Sequence, residues 1–427
     1  MKAKGRLKPA YKNLILTRER DKINILVRSE EMIVYEFKIK AKPNQYAAID
    51  EAIRTAQFIR NKCLRYWMER LGNSRNDLNK YCALLAKEFS FAKNLNSMAR
   101  QASAERAWFA IEHFYENCKK KKPGKKGYPK FKKCSRSVEY KISGWKLLSP
   151  KRIKFTDKQD IGELKLVGTW DLGYYSTDQI KRVRLIRRAD GYYCQFCIKV
   201  DIRIEVEPTN QMIGLDVGLK YFLADSNGHT EPNPRFYREA EKMLKRANRQ
   251  KSKKYRKNKK PQSKNYQKAR KRYGRQHLKV SRRREEHAKR FARSVIHSND
   301  VVAYEDLNIA GLVRNHKLAK SISDAGWSQF RRWLEYFGDK YARVTIAVSP
   351  HYTSQECSNC GEIVKKGLST RTHICPHCRY VEDRDINAAK VILQRGLKIL
   401  WGTEEFTLQE RSPLGELEQS CPLTASR

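Results

Sequence analysis

Three carboxylates and four thiols carry the chemistry that can be read directly from this chain. Met212 to Gly218, MIGLDVG, is an apolar strand that delivers Asp216 into a turn beside Gly218. A carboxylate at the end of a buried strand is costly to place unless a cation sits on it. Further acids stand downstream in VVAYEDLN, which offers Glu305 or Asp306, and in DRDINAAKVI, which offers Asp383 or Asp385. By chemistry alone the members of each pair are near equals, and any single acid could be a helix cap or a solvated turn residue. Taken as Asp216, Glu305 and Asp385, they come in an order and spacing that would converge on one metal site. Few hard oxygen ligands, with water and phosphate completing the shell, suit Mg²⁺ or Mn²⁺. Two such ions about 4 Å apart would activate a water and stabilise the leaving 3′ oxygen of a phosphodiester.

The thiols follow a different pattern. Cys357 and Cys360 form CSNC, Cys375 and Cys378 form CPHC, and fourteen residues separate the two pairs. Such knuckles let four thiolates close tetrahedrally on one Zn²⁺, with Gly361 permitting the tight turn after the first pair. In a reduced protein this spacing reads as a structural zinc, the alternative being redox-active pairs. His373 and His377 lie close by, but four sulfurs already complete a closed site. The zinc is therefore expected to fold a small insertion and not to catalyse. Cys194 and Cys197 share the spacing, yet residues three apart on a strand face opposite sides, so both are expected to pack. His113, alone on a helix, reads as a surface or packing residue.

Composition says what these groups act on. The 427 residues are enough for two to four domains, and 91 Lys and Arg against 46 acids leave a formal charge of +45. A surplus of that size repels itself unless a polyanion neutralises it, so nucleic acid is the natural partner. No apolar run approaches the roughly 20 residues of a spanning helix, and the basic start MKAKGRLKPAYKN lacks the apolar core of a secretory signal. Eleven cysteines are too dilute for a disulfide scaffold. A cytoplasmic, nucleoid-associated place in a bacterial cell is expected, with no membrane contact.

The elements that must position the acids can be taken in order. Residues 1–31 are charged and without periodicity, a basic extension or a stretch upstream of a natural start at Met32, and these two readings stay open. Ile33 to Ile39 alternates as a strand. Helical patterns follow, the first ending at Gly72 and the second covering Lys80 to Lys121. Lys119 to Lys133, KKKKPGKKGYPKFKK, is a Pro- and Gly-containing loop in which Tyr128 and Phe131 interleave with Lys125, Lys126, Lys130 and Lys132. Cations for phosphates and rings for bases suit a single-strand or hairpin surface, a solvated linker being the alternative. Period-two strands run from Val138 to Val200, with a hairpin turning at Ala189-Asp190-Gly191.

After a linker at Glu205 to Pro208 come strands Ile213 to Val217 and Tyr221 to Asp225, an Asn227-Gly228 turn and a third short strand. Basic helical segments Phe236 to Lys257 and Asn265 to Ser298 are separated by KNKKPQSK. Their run of cations, including Arg270, Lys271, Arg272, Arg282, Arg283 and Arg284, is too single-signed for a salt-bridged face and reads as nucleic-acid-tracking. Strand Val301 to Tyr304, helix Trp327 to Tyr341, strand Val344 to Val348 and a helix over Asp385 to Leu393 complete the set. Three antiparallel strands followed by alternating helices and parallel strands is the layout of a ribonuclease-H-like nuclease core.

These residues together, LDVG, YEDLN, SDAGWSQF, the paired knuckles, DRDINAA and GYPKFK, closely resemble the TnpB (OrfB) proteins of bacterial insertion sequences, relatives of miniature type V CRISPR effectors. The match runs from about Met32 to about Leu397. The resemblance selects Asp216, Glu305 and Asp385 as the nuclease acids and Cys357, Cys360, Cys375 and Cys378 as the zinc ligands. It implies an α+β multidomain protein: a ribonuclease-H-like (RuvC-like) core with a zinc-ribbon insertion, a β-barrel-like wedge and a helical recognition bundle. The expected segments are a wedge over 32–43 and 123–208, a helical recognition domain over 44–122 and a nuclease domain over 209–350 and 382–400. The zinc insertion would take 351–381 and a disordered tail 401–427.

The implied activity is RNA-guided cutting of both strands of a double-stranded DNA by one site. A guide RNA from the element's end would supply most of the specificity, the protein reading a short adjacent motif. No obligatory protein partner is implied. Two other readings stand beside it: a DNA transposase acting on element ends, and a guide-bound repressor without cleavage, which would need a spoiled acid triad.

Overall fold

In the computed structural model the described residues are 31–121, 124–200, 203–204, 206–259, 261–367 and 370–402. Most of the expected N-terminal extension, most of the tail, and Pro123, Glu205 and Lys260 of the loops lie outside them. The chain divides into two units, one of residues 203–269 and 276–402, the other of residues 31–202 with 270–275.

The unit that carries the acids is built on a five-stranded sheet. Its strands, numbered along the whole chain, are β8 (Met212–Asp216), β9 (Tyr221–Asp225), β10 (Thr230–Pro232), β11 (Val301–Glu305) and β12 (Val344–Val348). Their spatial order is β10-β9-β8-β11-β12, with β8 to β10 antiparallel and β11 parallel to both β8 and β12. This is the ribonuclease-H-like arrangement. Gly228, at φ +94°, makes the turn between β9 and β10, a backbone angle that costs glycine little.

Strand alternation sorts the sheet into two faces. Ile213 and Leu215 of β8, with Val302 and Tyr304 of β11, pack against three helices: α6 (Lys264–Ser298), α8 (Ala319–Ala325) and α9 (Trp327–Lys340). Along α6 the inward residues are Ala288, Ala292 and Ile296, four apart, so a narrow stripe of small side chains seats a long helix that is otherwise basic. The opposite face belongs to α10 (Arg384–Trp401), whose Ile392, Leu393 and Leu397 close over Val301, Ala303, Ile346 and Val348. The expected end at Leu393 falls short because the apolar face continues through Leu397.

Backbone meets backbone where α10 crosses β8. A Cβ placed on Gly214 would stand 2.1 Å from the Ala389 carbonyl oxygen and 2.7 Å from the Leu393 nitrogen. At the neighbouring strand, a Cβ on Gly396 would lie 2.6 Å from that of Ala303. Two glycines, one on the strand and one on the helix, thus set the depth at which α10 lies.

The other unit combines strands β1 (Glu31–Lys40), β2 (Ser137–Tyr140), β3 (Trp145–Ser149), β4 (Arg152–Phe155), β5 (Glu163–Val167), β6 (Ile180–Arg188) and β7 (Gly191–Val200) with a helical bundle. The sheet is antiparallel in the order β2-β6-β7-β1-β5-β4-β3, which leaves β2 and β3 as edges. It curls enough to bring Tyr140 of β2 against Phe155 of β4, ring centroids 4.8 Å apart, so it is barrel-like but open. Cys194 lies in its apolar core, and Cys197 is buried from the other side beside Arg184, Glu139 and Arg182, as packing residues would be.

The bundle holds α1 (Pro43–Glu69), α2 (Arg75–Glu88), α3 (Ser90–Asn94) and α4 (Ser97–Lys119). The single helical region expected from Lys80 to Lys121 is therefore three helices. Phe89 leaves the helix in an extended conformation, and Asn96 starts α4 by accepting from the Met98 N–H at 2.8 Å.

Gly214→Ala is expected to lower unfolding free energy by about 1–3 kcal/mol, the usual range for overpacking a tight contact. Chemical denaturation of wild type and variant measures it; an unchanged midpoint would show that α10 is free to ride outward.

Candidate functional site

The acids come together through three elements. Asp216 and Glu305 end the adjacent parallel strands β8 and β11, one residue beyond the paired Leu215 and Tyr304. Two residues on from Gly214 and Ala303, they fall on the face that α10 covers. Asp385 is the second residue of α10, one turn before the Ala389 that lies against Gly214, and it is buried. The depth set by Gly214 is what carries Asp385 down to the two strand ends.

Placing them there is electrostatically unfavourable. Burial, followed by the neighbouring charges of Glu305 and Asp385, pushes Asp216 well above the usual carboxylate range, with Arg384 opposing. Burial also raises Glu305, against the pull of a hydrogen bond from the Thr353 hydroxyl and the charge of Arg395. Asp385 accepts from the Arg384 guanidinium at 3.0 and 3.2 Å and faces Arg371 at 3.8 Å.

The near-equal acids have other work. Asp383 caps α10, accepting from the Asp385 N–H at 2.8 Å and from the Ile386 N–H at 3.4 Å, while the exposed Asp306 pairs with Arg331. The donor set that remains, three hard carboxylates of which two are raised by burial, fits a divalent cation. The three carboxylates do not themselves gather into ligating geometry. Among the described residues, the group of His, Cys, Asp or Glu side chains whose donor atoms all lie within 4.8 Å of one another is Cys357, Cys360, Cys375 and Cys378.

The four cysteines meet the expectation for zinc. Cys357 and Cys378 sulfurs are 3.7 Å apart and those of Cys360 and Cys375 3.5 Å apart. A tetrahedral Zn²⁺ with bonds near 2.3 Å needs about 3.8 Å. Gly361 takes φ +80° after the first pair, and Arg379 takes φ +62° at the corresponding place after the second. In each knuckle the N–H of that residue bonds back to the first cysteine's carbonyl at 2.9 Å, so both pairs are held in one turn geometry. The Asn359 side chain and the Tyr380 N–H lower the Cys378 thiol to about 6, while burial raises the thiols of Cys357 and Cys360. The cluster is compatible with a structural zinc. His373 is fully buried and turned to Lys366, outside the four-sulfur set.

Comparison with known proteins bears on the same elements. The family model of OrfB from IS605-type elements, described as "Probable transposase", matches residues 195–316, and the Cas12f1-like TNB domain matches residues 327–392. A protein of Streptomyces pristinaespiralis, named provisionally as an RNA-guided DNA endonuclease, is 28% identical over 318 residues, 73% of this chain and 74% of its own. InsQ of Escherichia coli strain K12, named in the same provisional way, is 25% identical over 393 residues, 86% of this chain and 92% of its own. Both matches and both relatives make the chain similar to the TnpB (OrfB) proteins. Among solved structures, the Cas12f1–sgRNA–target DNA complex is similar in fold, with a TM-score of 0.50 at 16% identity over 82% of each chain.

Several of the basic residues are exposed, and others pair visibly with acids of the protein. In the loop before β2, the backbone is tied down: Asn117 bonds the Lys126 carbonyl at 3.1 Å, Arg60 that of Lys130 at 3.3 Å, and Asn61 both polar groups of Lys132 at 2.9 Å. Lys125, Lys130 and Lys132 are exposed on this fixed loop. Tyr128 rests against Trp67 and Phe114, and Phe131 lies 5.7 Å from the Arg65 guanidinium. Phe131 also borders a groove of about 460 Å³ with Arg54, Lys62 and Arg65 of α1. These three cations were not among the residues singled out from the sequence; their recurrence at intervals of eight and three residues was the available signal.

On α6, Arg270, Lys271, Arg272 and Arg282 are exposed. Arg283 pairs with Glu239 of α5 (Phe236–Lys253) at 3.1 Å and lies 4.6 Å from the Phe236 ring, and Arg284 pairs with buried Asp324 at 3.3 Å. Asp324 in turn accepts from the Tyr237 and Arg238 N–H groups that open α5. Acids that looked too sparse to matter thus hold two of the arginines. No helix among the described residues is long and apolar enough to cross a membrane.

A carboxyl whose folded pKa is raised stabilises the fold below its ordinary range, and that stability is lost as pH rises through the raised value. Without metal, melting temperature should therefore fall as pH rises past the ordinary Asp and Glu range, and Asp216→Asn should flatten the fall. Added Mg²⁺ should raise the wild-type melting temperature at neutral pH by about 2–4 °C per kcal/mol of binding, and the variant's much less. Differential scanning fluorimetry across pH checks both; identical profiles would refute the account. Cys375→Ser should lose zinc and soluble yield, and unchanged zinc by elemental analysis would overturn the ligand assignment.

Proposed function

We infer that this chain is an RNA-guided DNA endonuclease of a transposable element. The observation that carries the reading is that Asp216 and Glu305 end adjacent strands of a ribonuclease-H-like sheet beneath the helix that carries Asp385, close enough for the charges of both to act on Asp216, in a chain of net charge +45. Relatives named as RNA-guided DNA endonucleases, matched over most of their length, support the substrate and the guide.

In this reading Asp216, Glu305 and Asp385 hold two Mg²⁺ or Mn²⁺ ions, and the site cuts both target strands in turn. The ions would supply activation of the attacking water and stabilisation of the leaving oxygen. Asp216, desolvated and crowded by two carboxylates, provides the strongest local demand for a cation. Arg384, now on Asp385, remains beside the acids as a cation able to meet a phosphate oxygen. The exposed lysines of the 124–133 loop and the outward cations of α6 bind the backbones of guide and target by charge. The cysteine cluster holds one structural Zn²⁺ with no open position, and so takes no part in the reaction.

A second reading, a transposase acting on element ends, has the description of the matching family model in its favour. The two differ in what copurifies and what is cut. Purification from cells carrying the native locus, sequencing of bound RNA and incubation with Mg²⁺ and matching plasmid decide between them. The expected result is a defined RNA and double-strand cuts at its complement. Asp216→Ala should reduce cutting by about 10³-fold, the scale of losing one preorganised electrostatic contact, while leaving RNA-programmed binding intact. Bound RNA without cutting would indicate a repressor, and cutting only at element ends without RNA a transposase.

A further inference from the structure

Glu305 is gripped from a segment that none of the sequence motifs put next to it. Thr353 lies between β12 and the first cysteine knuckle, is buried, and its hydroxyl donates to Oε1 of Glu305. A hydroxyl has one proton, and the Pro350 carbonyl at 3.2 Å is the more distant acceptor.

The segment is fixed from α10. Arg395 donates to the carbonyls of Ser349 at 3.1 Å and His351 at 2.6 Å, and its guanidinium also pairs with Glu356. Asn387, fully buried, accepts from the Ser358 N–H at 3.0 Å and donates to the Glu356 carbonyl at 2.8 Å. Gln394 reaches the Ser358 carbonyl at 2.7 Å. Thr353 is therefore clamped on both sides, at residues 349–351 and 356–358, by the helix that delivers Asp385. The second clamp closes on the knuckle that begins at Cys357.

We propose that Thr353 is a positioning residue for Glu305: it holds one carboxylate oxygen and leaves the other for a divalent cation shared with Asp216. This rests on the reading of Glu305 as a metal ligand. It gives the cysteine cluster a role in the nuclease site beyond folding an insertion, because the cluster and α10 together set where Thr353 stands. A partner that orients a ligating carboxylate typically contributes 10- to 100-fold in metal affinity.

The test measures Mn²⁺ binding to the nucleic-acid-free full-length chain by electron paramagnetic resonance, and the Mg²⁺ dependence of plasmid cutting by the guide-loaded particle. Thr353→Val should weaken Mn²⁺ binding about 10- to 100-fold and shift half-saturating Mg²⁺ upward, with cutting recovering at high Mg²⁺ and zinc content unchanged. Thr353→Ser, which keeps the hydroxyl, should bind nearly as wild type. A valine variant with wild-type Mn²⁺ affinity, or a serine variant as weak as the valine, would overturn the proposal. Comparing Thr353→Ser with Thr353→Ala repeats the test without the β-branch, should the valine variant fail to fold. If Asp216→Ala binds Mn²⁺ as tightly as wild type, the metal reading itself fails. If that variant binds weakly while the threonine variants match wild type, only the role of Thr353 falls.

Discussion

The site depends on how closely one helix approaches one strand. Without a side chain at Gly214, the backbone of α10 lies directly on β8, and a methyl group there would occupy the space of the Ala389 carbonyl. Because Asp385 precedes Ala389 by one turn, the separation of helix and sheet becomes the separation of the third acid from the other two. Interiors pack densely enough that such a displacement is not absorbed locally. Packing and chemistry therefore share one contact.

A second consequence is that the fold concentrates negative charge where water is scarce, in a chain whose remaining surface is strongly positive. Asp216 bears most of this, with burial and two carboxylates acting in the same direction. The protein offsets part of the cost with Arg384 on Asp385 and the Thr353 hydroxyl on Glu305. Such a cluster is stable without a cation only when its protons are retained, which links folding, pH and metal through the same groups. Elsewhere, buried acids are matched more fully. Glu105 meets Arg75, Lys141 and Arg182, and Glu139 meets Arg182 and Arg184, the pairing that buried structural charges require.

Much of this was legible from spacing. The strands of the acid-bearing unit, its turn at Gly228 and the two cysteine knuckles are set by short-range rules: short apolar runs bounded by turn residues, a glycine at positive φ, and ligand spacing. The choice between Glu305 and Asp306, or between Asp383 and Asp385, was not legible from chemistry, since each pair offers the same functional group one or two residues apart. Strand phase separates the first pair, because Glu305 falls on the side of Ala303 and faces α10. Helix capping separates the second, because Asp383 is the residue at which α10 begins. Arg283 and Arg284 show the opposite error. A run of cations looks uniform in sequence, yet Glu239 and Asp324 approach from other helices and take up two of its members.

Local pattern was thus enough for the order of elements, the charge that points to a nucleic acid and the cysteine set, since these follow from composition and from neighbours within a few residues. The depth of α10 over Gly214, the clamp on residues 349–358, the contact of Thr353 with Glu305 and the groove beside Phe131 joined residues from distant parts of the chain. No periodicity encodes such meetings. They arise when segments compete for the same buried volume, and that competition is resolved only once the chain has packed.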